Sequence, residues 1–205
     1  MTGLRAKHKA DRNSRILKAA SRLFREAGYD GARIEAIAAE AQVSIGTIYN
    51  YYQNKGDILV AIVSMEVNEV LQAGERIIRK PPRNVAKTID ALIATYIEHS
   101  LVYLSKEMWR QAMAISTQQP VSPFGKTYAA LDRALTDQTC GLIVKLRELR
   151  LVREDVDARG CGEMIFNNMN MMFIEFVKRE GMTIQELRAA ICRQNRTLMQ
   201  AIAIW

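Results

Sequence analysis

Apolar residues recur at intervals of three and four along almost the whole chain, and no alternation of apolar and polar residues is sustained. The pattern predicts an all-α protein with about nine helices. In the first helix, from about Asp11 to Ala27, Ile16, Leu17, Ala20, Leu23, Phe24 and Ala27 form one stripe. Gly28 follows as a C-cap able to take positive φ. A short second helix covers about Arg33 to Ala41, with Ile34, Ile37, Ala38 and Ala41 inward. After a turn at Gln42 and Val43, Ser44 stands as the N-cap of a third helix reaching about Tyr51. Asn54 caps a fourth, which runs to about Arg79, and Asp57 is an acidic analogue of the capping-box glutamate.

The chain's four prolines fall in two pairs, Pro81–Pro82 and Pro120–Pro123, each where a helical pattern stops. The later helices are expected over Val85 to Leu104, Ser105 to Gln118, Phe124 to Leu149, Asp155 to Lys178 and Thr183 to Ile204. The expected division is a three-helix helix-turn-helix domain over 12–72 and a larger helical domain over 73–205.

Composition adds little to this picture: of 205 residues, 49% are apolar and 25% charged, as in an ordinary globular protein. The longest apolar runs, such as residues 58–63, are far short of the roughly 18 residues a bilayer requires, so no membrane partner is expected. No signal-peptide pattern is present. Three scattered cysteines, Cys140, Cys161 and Cys192, give neither a metal pair nor a disulfide framework, and fit buried thiols in a reducing cytoplasm. Neither metal nor cofactor is expected.

Charge placement changes the picture more. Residues 1–25 hold eight basic side chains (Arg5, Lys7, Lys9, Arg12, Arg15, Lys18, Arg22 and Arg25) against one acid, Asp11. The whole net charge of +7 therefore sits there, and the rest of the chain is neutral. Such asymmetry points to a polyanion at the N-terminal end. Residues 5–9 are read as a flexible basic tail that adds phosphate contacts.

The second and third helices, joined by a tight turn, read as a helix-turn-helix. Val43 and Ile48 anchor the third helix in a small core. Ser44 can cap that helix and offer its hydroxyl or N–H to a phosphate. Gly46 lets the helix lie close to DNA. Thr47 carries a hydroxyl and a methyl, suited to a base edge or a thymine methyl. Tyr49, Asn50 and Tyr51 bring hydrogen-bonding tips, and Lys55 can reach a phosphate as a point charge.

Gly28-Tyr29-Asp30, Ile34-x-x-Ile37-Ala38, the run from Ala41 to Tyr49, and Tyr52-x-Asn54-Lys55 together resemble the DNA-binding domain of the tetracycline-repressor (TetR) family of transcriptional regulators. The resemblance covers about residues 12–72. It implies a homodimer that binds double-stranded DNA at a palindromic operator. It also implies a C-terminal domain for dimerisation and for a small-molecule effector. On the family's pattern, Thr47 and Tyr49 lie against DNA, with Tyr49 on a phosphate. Ile45, Gly46, Asn50 and Tyr51 occupy positions that vary with operator sequence, Lys55 a phosphate-binding position, and Tyr52 a buried one. There are three departures. Gln42 stands where glycine is frequent in the turn. Arg33 replaces the usual Ser or Thr cap of the second helix and can gain a phosphate contact. Ile45 replaces a frequent lysine.

The 155–178 helix is apolar almost all round, from Met164 to Val177, and needs cover on more than one side. The last helix has Ile184, Ile191, Leu198 and Trp205 every seven residues. The two helices are expected to form a four-helix bundle across a twofold axis, with those four residues in the dimer seam. Tyr96, His99, Trp109, Met113, Phe166, Asn170 and Phe173 are the candidate effector-lining residues, and an apolar or aromatic effector is expected. Only two histidines occur, and there is no Gly-rich phosphate loop, nucleophile elbow or H-E-x-x-H. The expected function is that of a cytoplasmic, nucleoid-associated repressor released from its operator by that effector, and not an enzyme.

Overall fold

In the computed structural model, which describes residues 2–204, every regular element is helical: nine helices occur among the described residues. They pack as two compact units. One holds the residues up to 65 together with 101–128, and the other holds 66–100 together with the residues from 129 onward.

In the first unit, α1 (Thr2–Gly31), α2 (Ile34–Glu40), α3 (Ile45–Tyr49) and the start of α4 (Lys55–Arg79) enclose a small core. Ile16, Ala20, Phe24, Ile37, Ile48, Ile58, Leu59 and Ile62 are all fully buried in the chain. Each buried aliphatic side chain of this size stabilises the folded state by about 1.5–3 kcal/mol, so the stripe of α1 and the single anchor Ile48 hold the short helices in place. α1 starts two turns earlier than the sequence pattern suggested. Nothing between residues 4 and 13 breaks a helix, and Ala, Lys, Arg and Leu there are good helix formers. The expected flexible tail over residues 5–9 is thus helix. At the other end Gly28 takes φ 75° and ψ 161°, and α1 kinks there. Tyr29 then donates its freed N–H to Glu107 Oε1 at 3.1 Å.

The turn between α2 and α3 passes through Gln42 at φ 53°, a left-handed conformation that costs a side-chain-bearing residue about 1–2 kcal/mol. Arg33 stands at the N-cap of α2 and makes no side-chain cap bond. Asn54 Oδ1 accepts from the N–H of Asp57 at 3.0 Å, and Asp57 Oδ2 accepts from the N–H of Gln53 at 2.8 Å, a reciprocal arrangement that starts α4. α6 (Lys106–Gln118), capped by Ser105, belongs to this first unit, as does the beginning of α7 (Pro123–Glu148).

The second unit comprises the rest of α4 and α7, with α5 (Val85–His99), α8 (Ala158–Lys178) and α9 (Ile184–Ile202). α9 packs on both α5 and α8. α5 ends at His99 instead of Leu104; residues 100–104 form a turn whose last member, Leu104, is fully buried. Thr183 and Glu186 form a complete capping box at the start of α9. Gly162 lets α8 approach α7, because a Cβ there would lie 2.5 Å from Cys140 Cα. Cys140 is buried as expected, whereas Cys161 and Cys192 are half-exposed; all three are free thiols.

One expectation about the seam changes here. Ile191 is fully buried inside its own chain, on the same inward face of α9 as Leu187, Asn195 and Ile202. A heptad repeat marks a seam but not which molecule lies across it, and at Ile191 the neighbour is the chain itself. Ile184 and Leu198 are half-buried, and Trp205 lies outside the described residues. On α8, Ile165, Phe166, Met169, Phe176 and Val177 are buried, while Met164 and Met171 are 60% and 58% exposed. No helix among the described residues is long and apolar enough to cross a membrane.

Candidate nucleic-acid interface

The helix that should meet DNA is only five residues long, so its cap decides whether it forms at all. Ser44 has extended backbone and its Oγ accepts from the N–H of Thr47 at 3.1 Å. The same hydroxyl lies 2.9 Å from Thr47 Oγ1. Thr47 is thereby oriented from beneath, half-buried, with its hydroxyl shared with Ser44. Ile48 points into the core, which turns the opposite face of α3 outward.

That outward face is the polar and small-residue ridge expected from the sequence. Ile45 is 42% and Tyr49 53% exposed, and Ser44, Gly46 and Asn50 are exposed as well. A Cβ on Gly46 would have Ser44 Oγ, at 3.9 Å, as its only neighbour within 4 Å. None of the described residues covers this ridge, so a partner surface can approach α3 closely. Arg33 lies exposed at the start of α2.

Tyr51 and Tyr52 turn elsewhere. Tyr51 is half-buried; its hydroxyl donates to the carbonyl of Lys9 at 3.1 Å, and Lys9 Nζ sits over its ring, 5.9 Å from the centroid. Tyr52 is buried, as expected, and donates to Asn13 Oδ1 at 2.5 Å. Burial pushes the Tyr52 hydroxyl up to about 12, so it remains a donor at any physiological pH.

Lys55 is also drawn inward. Its ammonium donates to the carbonyls of Tyr29, Asp30 and Ala32 at 2.8, 3.0 and 3.2 Å, and lies 5.0 Å from the Tyr29 ring centroid. Carbonyls at a helix C-terminus lack intrahelical partners, and a cation with three N–H groups satisfies three of them. A phosphate would have to compete with all three. Lys55→Met, which keeps the stem and removes the donors, is expected to lower stability by about 1–3 kcal/mol, a fall of a few degrees in the thermal midpoint. An unchanged midpoint would show that these bonds add nothing net.

The basic residues of α1 sort into two groups. Arg22 is bound by Glu26 and Glu40, which raise its pKa further. Arg25 donates to the carbonyl of Val102 at 2.8 Å, and Arg15 lies 3.6 Å from Asp11. Lys7, Lys9, Arg12 and Lys18 are exposed and have no acidic partner among the described residues. Among the described side chains of α1, these four are the cations left for a polyanion.

The expected effector residues fall in both units. Trp109 and Met113 belong to the first unit, and Tyr96, His99, Phe166, Asn170 and Phe173 to the second. Tyr96 is buried and donates to Gln138 Oε1 at 2.7 Å, while Gln138 donates on to the carbonyl of Leu71. His99 has both ring nitrogens engaged, Nδ1 at 2.6 Å from buried Glu66 and Nε2 at 3.2 Å from Glu69. Phe173 packs on Phe176 with centroids 5.8 Å apart. Sequence reasoning missed the two glutamates, although their spacing of three on α4 places them on one helix face. It also missed Asp132, whose carboxyl burial pushes up to about 6. A further groove of about 410 Å³ lies between the start of α5 and the end of α9, and none of the expected residues lines it.

A tri-helical core that presents a short, capped helix with an uncovered polar ridge, flanked by exposed cations, defines a helix-turn-helix DNA-binding protein. Residues 16–62 match the family described as bacterial regulatory proteins, tetR family. Over 171 residues the chain is 27% identical to the fatty acid metabolism regulator protein of Bacillus subtilis, covering 80% of this chain and 82% of that one. The crystal structure of a TetR-family transcriptional regulator from Mesorhizobium loti superposes with a TM-score of 0.75 at 18% identity, covering 96% of this chain and 98% of that one. FadR from Bacillus subtilis, solved in complex with stearoyl-CoA, superposes with a TM-score of 0.66 at 20% identity, covering 88% and 95%. Residues 16–62 thus form a DNA-binding domain of the tetR family of bacterial regulatory proteins, and the chain shares the fold of TetR-family regulators.

Proposed function

We propose that the protein is a homodimeric repressor that leaves a palindromic operator when an effector carrying a long apolar chain binds. The observation that carries the DNA half of this reading is the uncovered ridge of α3, with Gly46 open and Tyr49 half exposed. Ser44, Ile45, Gly46, Thr47, Tyr49 and Asn50 are the groups assigned to the operator, with Arg33 on an adjacent phosphate. Residues 12–72 carry this activity, and residues 73–205 carry effector binding and dimerisation. The exposed methionines Met164 and Met171 of α8, with Ile184 and Leu198 of α9, are the apolar surface assigned to the second subunit. A twofold axis would set the two α3 helices about 34–36 Å apart, facing successive major grooves. Such a regulator acts on chromosomal DNA and so belongs in the cytoplasm.

The effector class is read from the relatives. A chain matched over four-fifths of its length by a regulator of fatty acid metabolism, and sharing the fold of a regulator solved with stearoyl-CoA, is assigned a long-chain acyl thioester. A route for the response is at hand in the first unit. Ser21 donates to the carbonyl of Tyr103, Arg25 to that of Val102, and Tyr29 to Glu107. A shift of α6 together with the turn before it would therefore reach α1.

The test is binding to DNA upstream of the protein's own gene, with scrambled duplex as competitor, titrated with acyl-CoA of increasing chain length. Operator preference of about a thousandfold is expected, falling by about a hundredfold with long-chain acyl-CoA, which corresponds to about 2.7 kcal/mol of coupling. A preference below about tenfold would reject the specific-regulator reading. An operator complex indifferent to every chain length would reject the effector class. Sedimentation as a monomer at micromolar concentration would reject the dimer.

A further inference from the structure

The described side chains in the first turns of α1 have no core to rest on. Ile16 is the first described residue of the helix that is buried, and the described side chains of residues 3–12 are all exposed. Isolated helical turns fray, because their first four N–H groups have no partner and local bonds barely offset the ordering entropy. Yet this stretch holds three of the four exposed cations without an acidic partner, Lys7, Lys9 and Arg12. Among the described residues, only two side chains from elsewhere in the chain hydrogen-bond to residues 2–13: Tyr51 to the Lys9 carbonyl and Tyr52 to Asn13. Lys9 and Asn13 are one helical turn apart, on the same face. Tyr51 and Tyr52 follow directly from α3. The carbonyl of Lys9 has a second lone pair for this purpose, beyond its helical bond.

We propose that Tyr51 is a positioning residue: it clasps the basic N-terminal turns of α1 to the end of the recognition helix. Lys7, Lys9 and Arg12 then form a second, sequence-blind contact with duplex phosphates. This rests on the reading of α3 as the DNA-facing helix, and it reassigns Tyr51 from that reading surface. The ring contributes as well as the hydroxyl, since Lys9 Nζ lies over it and keeps the ammonium beside α3. Cations held on an ordered helix meet phosphates at fixed spacing, whereas the same cations on a frayed segment give up ordering entropy on binding.

Tyr51→Phe in the full-length protein removes only the hydroxyl, and Tyr51→Ala removes the ring too. Binding is measured on operator and on scrambled duplex from low to high salt. For Tyr51→Phe the expected result is a loss of about three- to tenfold in affinity, by the same factor on both duplexes. The log–log salt slope should be shallower by about 1–2, given about 0.9 for each phosphate that is no longer neutralised. Tyr51→Ala should lose more of both. Lys9→Gln should flatten the slope by about 0.9 in the wild-type background and by clearly less in Tyr51→Phe. Circular dichroism should show the core intact in each variant.

An altered operator-to-scrambled ratio with an unchanged slope would overturn the proposal, because Tyr51 would then be reading a base. Full additivity of Lys9→Gln and Tyr51→Phe would overturn it too. If the wild type itself fails to prefer operator, the regulator reading falls, while the slope comparison on scrambled DNA still decides for or against the clasp.

Discussion

Gly46→Glu is expected to cut operator affinity by at least about a hundredfold, equivalent to about 2.7 kcal/mol, while the protein becomes no less stable. The two effects separate because they arise on different sides of the same atom. Within the chain, a Cβ at this position meets only Ser44 Oγ at 3.9 Å, so the new side chain enters open space. Replacing glycine in a helix recovers up to about 1 kcal/mol of propensity, and an acid in a first turn is favoured by the helix dipole. Against a duplex the same carboxylate occupies the gap through which α3 must approach, and it faces phosphates of its own sign. Like charges brought together in an interface cost several kcal/mol. Gel-shift titration beside thermal melting checks both halves. Affinity within a few-fold of wild type would mean that α3 does not enter a groove.

The largest stability effect is expected at Gly162. In Gly162→Ala the added Cβ would lie 2.5 Å from Cys140 Cα and 2.8 Å from Cys140 N, which are backbone atoms that cannot rotate away. Overpacking of a well-filled interface costs about 1–3 kcal/mol, and more where backbone must move. This outweighs the propensity gained by alanine. At about 2–4 °C per kcal/mol for a chain of this size, the thermal midpoint should fall by roughly 5–10 °C. Gly141, one residue from Cys140 on α7, is the internal control, because nothing lies within 4 Å of a Cβ there. Gly141→Ala should raise the midpoint by a few degrees. Equal shifts at the two positions would show that the spacing of α7 and α8 is not set by the missing side chain.

Most helix boundaries were legible in the sequence because their causes are local. Ser44, Asn54, Ser105 and Thr183 each stop or start a helix through a bond to a backbone group three residues away. Gly28 and Gln42 mark the two places where the backbone takes positive φ before and within the helix-turn-helix. The ridge of α3 was legible for the same reason: with Ile48 fixed as the anchor, helical geometry sends Gly46, Tyr49 and Asn50 away from the core.

The placements that the sequence did not reveal share a different cause. Lys55 looked like a free cation until the end of α1 was folded against it. Arg22, one of eight similar basic residues, is neutralised by Glu40, eighteen positions along. His99 looked like a ligand group and is held between two carboxylates of another helix. Ile191 sits on a heptad repeat that is satisfied by the chain's own core.

From the order of residues alone came the helices, their caps, the outward face of α3 and the concentration of positive charge at the N-terminal end. Each depends on residues within a turn or two of one another, so chain geometry alone decides it. Only the tertiary structure decided which cations remain free, where Tyr51 turns, how early α1 begins and whether a seam meets the chain itself. Those are questions of which distant groups compete for the same donors, acceptors and apolar surface. That competition is resolved when the helices pack.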